Sequence, residues 1–287
     1  MLETAVIPTL GQAASAEVGG LSYWLSIAFW AGAVAVLVGV LYLAGAFRGS
    51  VLKRGPTREL ELAPADLAIG LGVVAFIVVG KLSSFGKVVV PAAAVELAFL
   101  FGAGFFVLKA ALSEAGGRRS GLIPRRPGRD LVYTAAGLPI GFGLVFALLA
   151  LINGVATLAG FPSPALNHES LRELVRDPTV SAVLELIVSA VIVAPLLEEV
   201  LFRGLLQTWL LDVLGRDRRW LTVTVAAAAF ASVHVGLVSW HGLPGLFVLG
   251  LVLGWLYEKT GSLLPPVLVH AGFNAANIGY VLWVLGP

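Results

Sequence analysis

The chain has 287 residues, of which 58% are apolar, 13% are charged and none is cysteine, and its formal net charge is +2. This composition excludes an ordinary soluble domain, whose surface has to be more polar. The lack of cysteine excludes disulfide bonds, thiolate metal ligands and a cysteine nucleophile. Because the basic residues cluster in short loops between apolar stretches, their charge does not indicate nucleic-acid binding. We therefore expect an all-α, polytopic membrane protein that forms one integral-membrane domain over residues 1–287.

About eight stretches of the chain are long and apolar enough to be transmembrane helices, since one crossing takes roughly 20 apolar residues. In chain order they cover residues 21–46, 66–83, 88–112, 131–160, 180–204, 220–240, 243–258 and 262–285. Glu96 interrupts the third stretch as an intramembrane acid and is a second-rank candidate for a functional residue. The predicted fold is a bundle of about eight transmembrane helices.

The loops that follow the first, third, fifth and seventh spans carry most of the basic residues. These are Arg48, Lys53, Arg54, Arg58, Arg118, Arg119, Arg125, Arg126, Arg129, Arg216, Arg218, Arg219 and Lys259. The opposite side holds Lys81, Lys87, Arg172 and Arg176. The positive-inside rule places the arginine-rich loops in the cytoplasm and both termini outside it. The preference for arginine over lysine favours a GC-rich prokaryotic genome, and hence a bacterial or archaeal cell membrane.

The fifth span leads into a segment that is long for a single crossing. Residues 179–214 in one helix would extend about 54 Å, well beyond a bilayer core. Pro195 has no backbone N–H to donate, so we expect an interruption just before Glu198 and Glu199. That interruption would open space beside the two acids.

Charged residues inside an apolar span are costly and rarely kept without a reason. Glu199 and Arg203 are four residues apart, so they share a helix face and are expected to form an ion pair. Glu198 is rotated by about 100° from Glu199 and has no such local partner. It needs a polar pocket, where it would serve as a general base.

Two later spans carry polar residues suited to hydrolysis. His234 lies in the sixth span, and His270 and Asn274 lie four residues apart on one face of the eighth. Water is the simplest nucleophile, held by Glu198 and His234, while His270 and Asn274 would donate to an oxyanion. Taken singly, EExxxR is more typical of a structural ion pair, His234 of a hydrogen bond between helices, and Asn274 of helix packing. Together, they indicate amide hydrolysis within a membrane.

The ordered motifs EExxxR, FxxxH and HxxxN resemble those of the CPBP intramembrane proteases, a metal-independent family also called the type II CAAX prenyl protease or Abi family. Here they are Glu198-Glu199…Arg203, Phe230…His234 and His270…Asn274. The resemblance covers residues 180–280, which would form the catalytic core. It implies that Glu198 activates water with help from His234, that His270 and Asn274 form the oxyanion hole, and that Glu199 and Arg203 hold the site together. Phe230 would be a packing residue.

The resemblance also implies the substrate class. Eukaryotic members of this family remove three residues after a prenylated cysteine, whereas prokaryotic members are linked to bacteriocin immunity, peptide maturation or membrane-protein regulation. We expect a membrane-associated peptide or protein substrate, with or without a lipid group, in contact with the bilayer. No cofactor, metal or nucleic acid is expected.

Three other functions remain open from the residues alone. Glu198, His234 and His270 would also suit a zinc-dependent membrane hydrolase. The same fold would serve a non-catalytic binding or immunity protein that holds a partner helix. A proton-coupled transporter would use buried glutamate and histidine, but the chain shows no paired half-sequences of the kind that many transporters have.

Overall fold

The computed structural model describes residues 68, 70–77, 92–112, 121–124, 126–161, 166, 168–176 and 179–285, and the regular structure within these residues is helical. A helical stretch at residues 70–77 precedes the helices that we number α1 to α7. These are α1 (Ala92–Leu112), α2 (Pro127–Leu158), α3 (Glu169–Arg176), α4 (Val180–Leu214), α5 (Arg219–Ser232), α6 (Leu243–Thr260) and α7 (Leu264–Leu285). The all-α prediction is confirmed. The predicted span at 21–46 and the arginine-rich loop after it lie outside the described residues.

Two of the described helices, α2 and α4, are long and apolar enough to cross a membrane. In its first half α4 exposes an apolar side chain at every fourth position, at Val180, Leu184, Val188, Ile192 and Leu196. A stripe of this kind suits contact with lipid rather than with water. The two helices support a membrane protein, but they do not establish the predicted count of eight spans.

The predicted spans at 131–160, 243–258 and 262–285 correspond closely to α2, α6 and α7. Two predicted ends were wrong. The span 180–204 continues to Leu214, where Gly215 with a φ of +89° ends the helix. The span 220–240 contains a helix that already ends at Ser232, after which i→i+3 bonds and Gly236, with a φ of +84°, turn the chain. Because residues 233–240 are mostly apolar, hydrophobicity did not predict these turns.

Helix α4 switches from α-helical to π-helical hydrogen bonding at two places. Its stretches Val188–Val193 and Val200–Gln207 are π-helical, and they flank an α-helical turn at Ala194–Glu199 that contains Pro195. A change in hydrogen-bonding register therefore accompanies Pro195, as a π-helical stretch that ends two residues before the proline. A kink at Pro195 stays a prediction. Single π-helical turns are rare and frequently occur at functional sites.

Helix α6 lies at the centre of the bundle and packs against α2, α5 and α7. Its close approach to α5 requires Gly250, because a Cβ atom there would lie 3.0 Å from the Cβ of Ala227. Helix α7 packs against the segment of α4 that bears the two glutamates. The second half of α4 is buried through residues 199–208. This packing brings α4, α5 and α7 together around one site.

Candidate active site

Glu199 and Arg203 form the buried centre of the site. Arg203 Nη1 donates to Glu199 Oε1 over 2.7 Å, and both side chains are fully buried. The same Glu199 oxygen accepts from His270 Nδ1 at 3.0 Å. The helical spacing predicted the pair with Arg203, and that pair is present. The contact with His270 ties α4 to α7 and was not anticipated.

The guanidinium of Arg203 is accommodated by three further features of its surroundings. Nη2 donates to the carbonyl oxygen of Gly250 on α6 over 3.3 Å. The guanidinium carbon lies 4.5 Å from the centre of the Phe230 ring, which is cation–π distance. The carboxylate of Glu199 balances its charge. A buried charge is stable only when it is paired and hydrogen-bonded in this way.

Glu198 faces a different direction and meets both histidines. Its Oε2 atom lies 3.9 Å from His234 Nε2 and 3.8 Å from His270 Nε2. These distances are too long for direct hydrogen bonds. The side chain of Glu198 is 14% exposed, whereas that of Glu199 is fully buried. Of the two acids, only Glu198 is partly exposed, although its Oε2 atom is buried and has no hydrogen-bond partner among the described residues.

His234 sits in the turn that follows α5 and is oriented by the end of that helix. Its Nδ1 atom lies 2.9 Å from the carbonyl oxygen of Phe230. A carbonyl oxygen accepts and cannot donate, so Nδ1 carries the proton in this arrangement. Nε2 is then the atom that faces Glu198.

Phe230 packs between the charged pair and the two histidines. Its ring centre lies 5.0 Å from that of His234 and 5.5 Å from that of His270, and the contact with His270 is edge-to-face. Phe202 on α4 makes a second edge-to-face contact with the same ring at 5.6 Å. Phe230 is fully buried. It packs as predicted and fixes the planes of both imidazole rings.

Asn274 lies one turn beyond His270 on α7 and contacts the backbone of α4. Its Nδ2 atom donates to the carbonyl oxygen of Ala190 over 2.7 Å. Ala190 is in the first π-helical stretch, where Ala194 N–H bonds Ser189 O, five residues back. The next donor in that register would come from residue 195, which is proline and has no N–H. Asn274 therefore supplies the carbonyl of Ala190 with the donor that Pro195 lacks.

A second buried polar group lies along the same helices and was missed in the sequence. Gln207 Nε2 donates to the carbonyl oxygen of Gly254 at 3.0 Å and to Glu258 Oε1 at 2.9 Å. Glu258 is also ion-paired with Arg219 of α5. The available signal was the spacing, because Glu199, Arg203 and Gln207 are four apart, as are Gly250, Gly254 and Glu258.

Glu96, the second-rank candidate, cannot be placed relative to this site. Glu96 belongs to α1, but its side chain lies outside the described part of the structure. Within the described residues, no group of three or more histidine, cysteine, aspartate or glutamate side chains is arranged to hold a metal ion. Five of the six predicted residues lie within 4 Å of another member of the set, and they come from α4, α7 and the turn after α5. The sixth, Asn274, contacts α4 at Ala190, eight residues before Glu198.

Known proteins resemble the segment that carries this site. Residues 180–276 match the model of a family described as type II CAAX prenyl endopeptidase Rce1-like. The chain is also 32% identical over 113 residues to an uncharacterized 24.3 kDa protein of Escherichia coli, a match that covers 38% of this chain and 49% of the relative. The chain thus spans about half the length of that relative. No solved structure is significantly similar to this chain. The resemblance predicted from the three motifs is confirmed by the family match over residues 180–276.

Proposed function

We propose that the protein is an intramembrane endopeptidase of the CAAX-protease type, in which Glu198 and His234 activate a water molecule. One observation carries this proposal: Glu198 Oε2 lies between two imidazole Nε2 atoms, at 3.9 and 3.8 Å. Gaps of this size suit a bridging water better than direct contact. Glu198 is also the more accessible of the two acids. A carboxylate, a histidine and one water between them are the components of hydrolysis by general-base catalysis.

In the proposed reaction, the water oxygen attacks the carbonyl carbon of the scissile peptide bond while Glu198 takes its proton. Negative charge then develops on the carbonyl oxygen, where His270 and the second N–H of Asn274 would stabilise it. Collapse of this intermediate breaks the bond between carbon and nitrogen, and the leaving nitrogen takes up the proton that Glu198 removed from the water. Glu199 and Arg203 hold α4 and α7 in the required geometry. No metal or cofactor takes part.

The proposed substrate is a membrane-associated peptide or protein, with or without a lipid group. The exposed apolar stripe of α4 ends at Leu196, two residues before Glu198. A lipid-facing surface that runs up to the reactive acid suits a substrate arriving from the bilayer. We further propose a multi-pass protein of a prokaryotic cell membrane, with about eight spans and both termini outside the cytoplasm, as the distribution of basic residues indicates.

The test is cleavage of a mixed set of prenylated and unmodified membrane peptides by protein reconstituted in lipid vesicles. Glu198→Gln keeps the shape of the side chain but removes its basicity, so cleavage should fall by at least about 100-fold. Glu185→Gln is the matched control, because Glu185 is an exposed acid on the same helix α4. This control should cleave like the wild type.

Each outcome has a distinct meaning. Full activity in Glu198→Gln would contradict the assignment of the base. Loss of wild-type activity in the presence of a zinc chelator would show that the hydrolysis depends on a metal. Cleavage of the prenylated peptides alone would show that a lipid group is part of the recognised substrate.

A further inference from the structure

The two histidines of the site are held by hydrogen-bond acceptors of different charge. His234 Nδ1 lies 2.9 Å from the Phe230 carbonyl oxygen, and His270 Nδ1 lies 3.0 Å from Glu199 Oε1. A carboxylate that pairs with Arg203 accepts hydrogen bonds and cannot donate, so His270 also carries a proton on Nδ1. Both rings therefore turn Nε2 toward Glu198.

This arrangement changes what His270 has to do in order to stabilise an oxyanion. With Nδ1 already protonated, a neutral His270 presents a lone pair on Nε2 rather than a donor. It donates from Nε2 only when the ring holds a second proton and is positively charged. A carboxylate on Nδ1 stabilises that charge, as in the aspartate–histidine pair of the serine proteases. The backbone carbonyl that accepts from His234 is neutral, so it stabilises a positively charged ring less than a carboxylate does.

We propose that Glu199 is a positioning residue that fixes the first proton of His270 on Nδ1 and thereby makes His270, not His234, the proton carrier of the site. The proposal rests on the proposed function. Glu198 takes a proton from the attacking water and passes it to His270 Nε2, a transfer for which the two atoms must approach more closely than the 3.8 Å that separates them in the structure. The new N–H donates to the oxyanion. When the carbon–nitrogen bond breaks, the proton moves from Nε2 to the leaving nitrogen, and His270 returns to its neutral form.

Arg203 takes part in this arrangement through Glu199. Its Nη1 atom shares the Glu199 oxygen that His270 contacts, at 2.7 Å against 3.0 Å. His270 is nearly as buried as Arg203 and Glu199, with an exposed fraction of 3%. Little solvent is therefore available to supply or exchange the Nδ1 proton. Of the two carboxylates near the ring, only that of Glu199 lies within hydrogen-bond distance of a ring nitrogen, at 3.0 Å against 3.8 Å for Glu198, so Glu199 favours the proton on Nδ1.

The first test is nuclear magnetic resonance of wild-type protein in detergent micelles, with ¹⁵N-labelled histidine rings. The chain has four histidines, so few signals compete, and loss of one set in His270→Gln assigns that ring. We expect a directly bonded proton on Nδ1 of His270 in the resting protein. A bare Nδ1 with the proton on Nε2 would overturn the proposal, whatever the variants do.

The second test uses Glu199→Gln, with Glu258→Gln as its matched control. Both changes remove one fully buried carboxylate that pairs with an arginine. Glu199→Gln should release the fixed Nδ1 proton and lower kcat by roughly 10²- to 10⁴-fold, with KM within a few-fold, as removal of the orienting aspartate does in serine proteases. Glu258→Gln should leave the His270 signals in place.

The outcomes separate this inference from the proposed function. If both variants lower kcat equally and leave the His270 proton on Nδ1, Glu199 is structural and the proposal fails, although a Glu198-dependent protease would stand. If the Nδ1 proton is present but no peptide is cleaved, the proposed function fails instead. Should Glu199→Gln not fold, Glu199→Asp keeps the charge while shortening its reach to His270, and the same two measurements apply.

Discussion

Arg203 is the residue that most clearly shows how this chain stabilises charge in an apolar interior. It donates hydrogen bonds to Glu199 Oε1 and to the backbone carbonyl of Gly250 on α6, and its guanidinium lies over the ring of Phe230. Removing it would leave the Glu199 carboxylate fully buried with only His270 beside it. An uncompensated buried charge is among the most destabilising defects that a single substitution can create.

We therefore expect Arg203→Ala to lower the free energy of unfolding by about 3–5 kcal/mol. Arg218→Ala is the control, since Arg218 is exposed in the turn after α4 and its loss should change stability by about 0.5 kcal/mol or less. Thermal unfolding of both variants in the same detergent measures the difference. Equal midpoints would show that the buried pair contributes nothing to the fold.

At this scale the sequence predicts local pairs and misses distant ones. The Glu199–Arg203 pair follows from a spacing of four residues. The bond from His270 to Glu199 joins positions 71 residues apart, and the bond from Gln207 to Glu258 joins positions 51 apart. Only the packing of helices decides which buried polar groups meet over such separations. The spacing of residues predicted the pair within α4, whereas the hydrogen bonds between helices were not predicted.

At the scale of helices, glycine determines how closely the elements carrying the site approach. A Cβ at Gly250 would lie 3.0 Å from the Ala227 Cβ and 3.1 Å from its Cα. The second contact is with backbone, which cannot rotate away. Three residues beyond Ala227, α5 carries Phe230, which packs on both histidine rings. The spacing of α5 and α6 is thereby linked to the geometry of the site.

Gly250→Ala should force α5 away from α6 and lower peptidase activity by about 10- to 100-fold, because small displacements of catalytic groups have effects of that size. Gly279→Ala on α7 is the control, since a Cβ there meets nothing within 4 Å. Alanine favours helix more than glycine does, so the control should keep its activity and its stability. Activity per folded molecule is the quantity to compare. Equal activities would exclude a role for this contact.

The helices themselves were predicted better than their ends. Apolar runs identified α2, α6 and α7, because a helix core needs little beyond apolar residues. The end of α5 was missed because Val233, Val235 and Val238 are apolar yet lie in turns. Such turns depend on Gly236 and on buried contacts, including the bridge between His168 and Val238. Hydrophobicity alone carries no signal for them.

For the whole molecule, the open question is how the bundle lies in the bilayer. The arginine-rich turn at Arg216–Arg218 and the turn at residues 233–242 lie at opposite ends of α5. The positive-inside rule predicts that the first of these turns is cytoplasmic. Helix α5 has 14 residues, which corresponds to about 21 Å against a bilayer core of about 30 Å. Because α5 is shorter than the bilayer core, whether it crosses the membrane is an informative test of the predicted topology.

The chain has no cysteine, so single cysteines can be labelled without background. Asp217→Cys and Leu237→Cys place one thiol in each of these turns, at exposed positions. With a membrane-impermeant maleimide on intact cells, we expect labelling of Leu237→Cys but not of Asp217→Cys, which should react only after permeabilisation. The reverse pattern would invert the topology. Labelling of both in intact cells would show that α5 does not cross.

The bond between Asn274 and Ala190 has a consequence for how this protein changes over generations. Asn274 replaces the backbone donor that Pro195 lacks, so we expect changes at the two positions to be coupled. A lineage that loses the proline regains a main-chain donor and frees the amide. A lineage that loses the amide while keeping the proline loses the donor to the Ala190 carbonyl. The two positions should therefore be inherited as a pair, and Asn274 would remain in place even in a descendant that no longer cleaved anything.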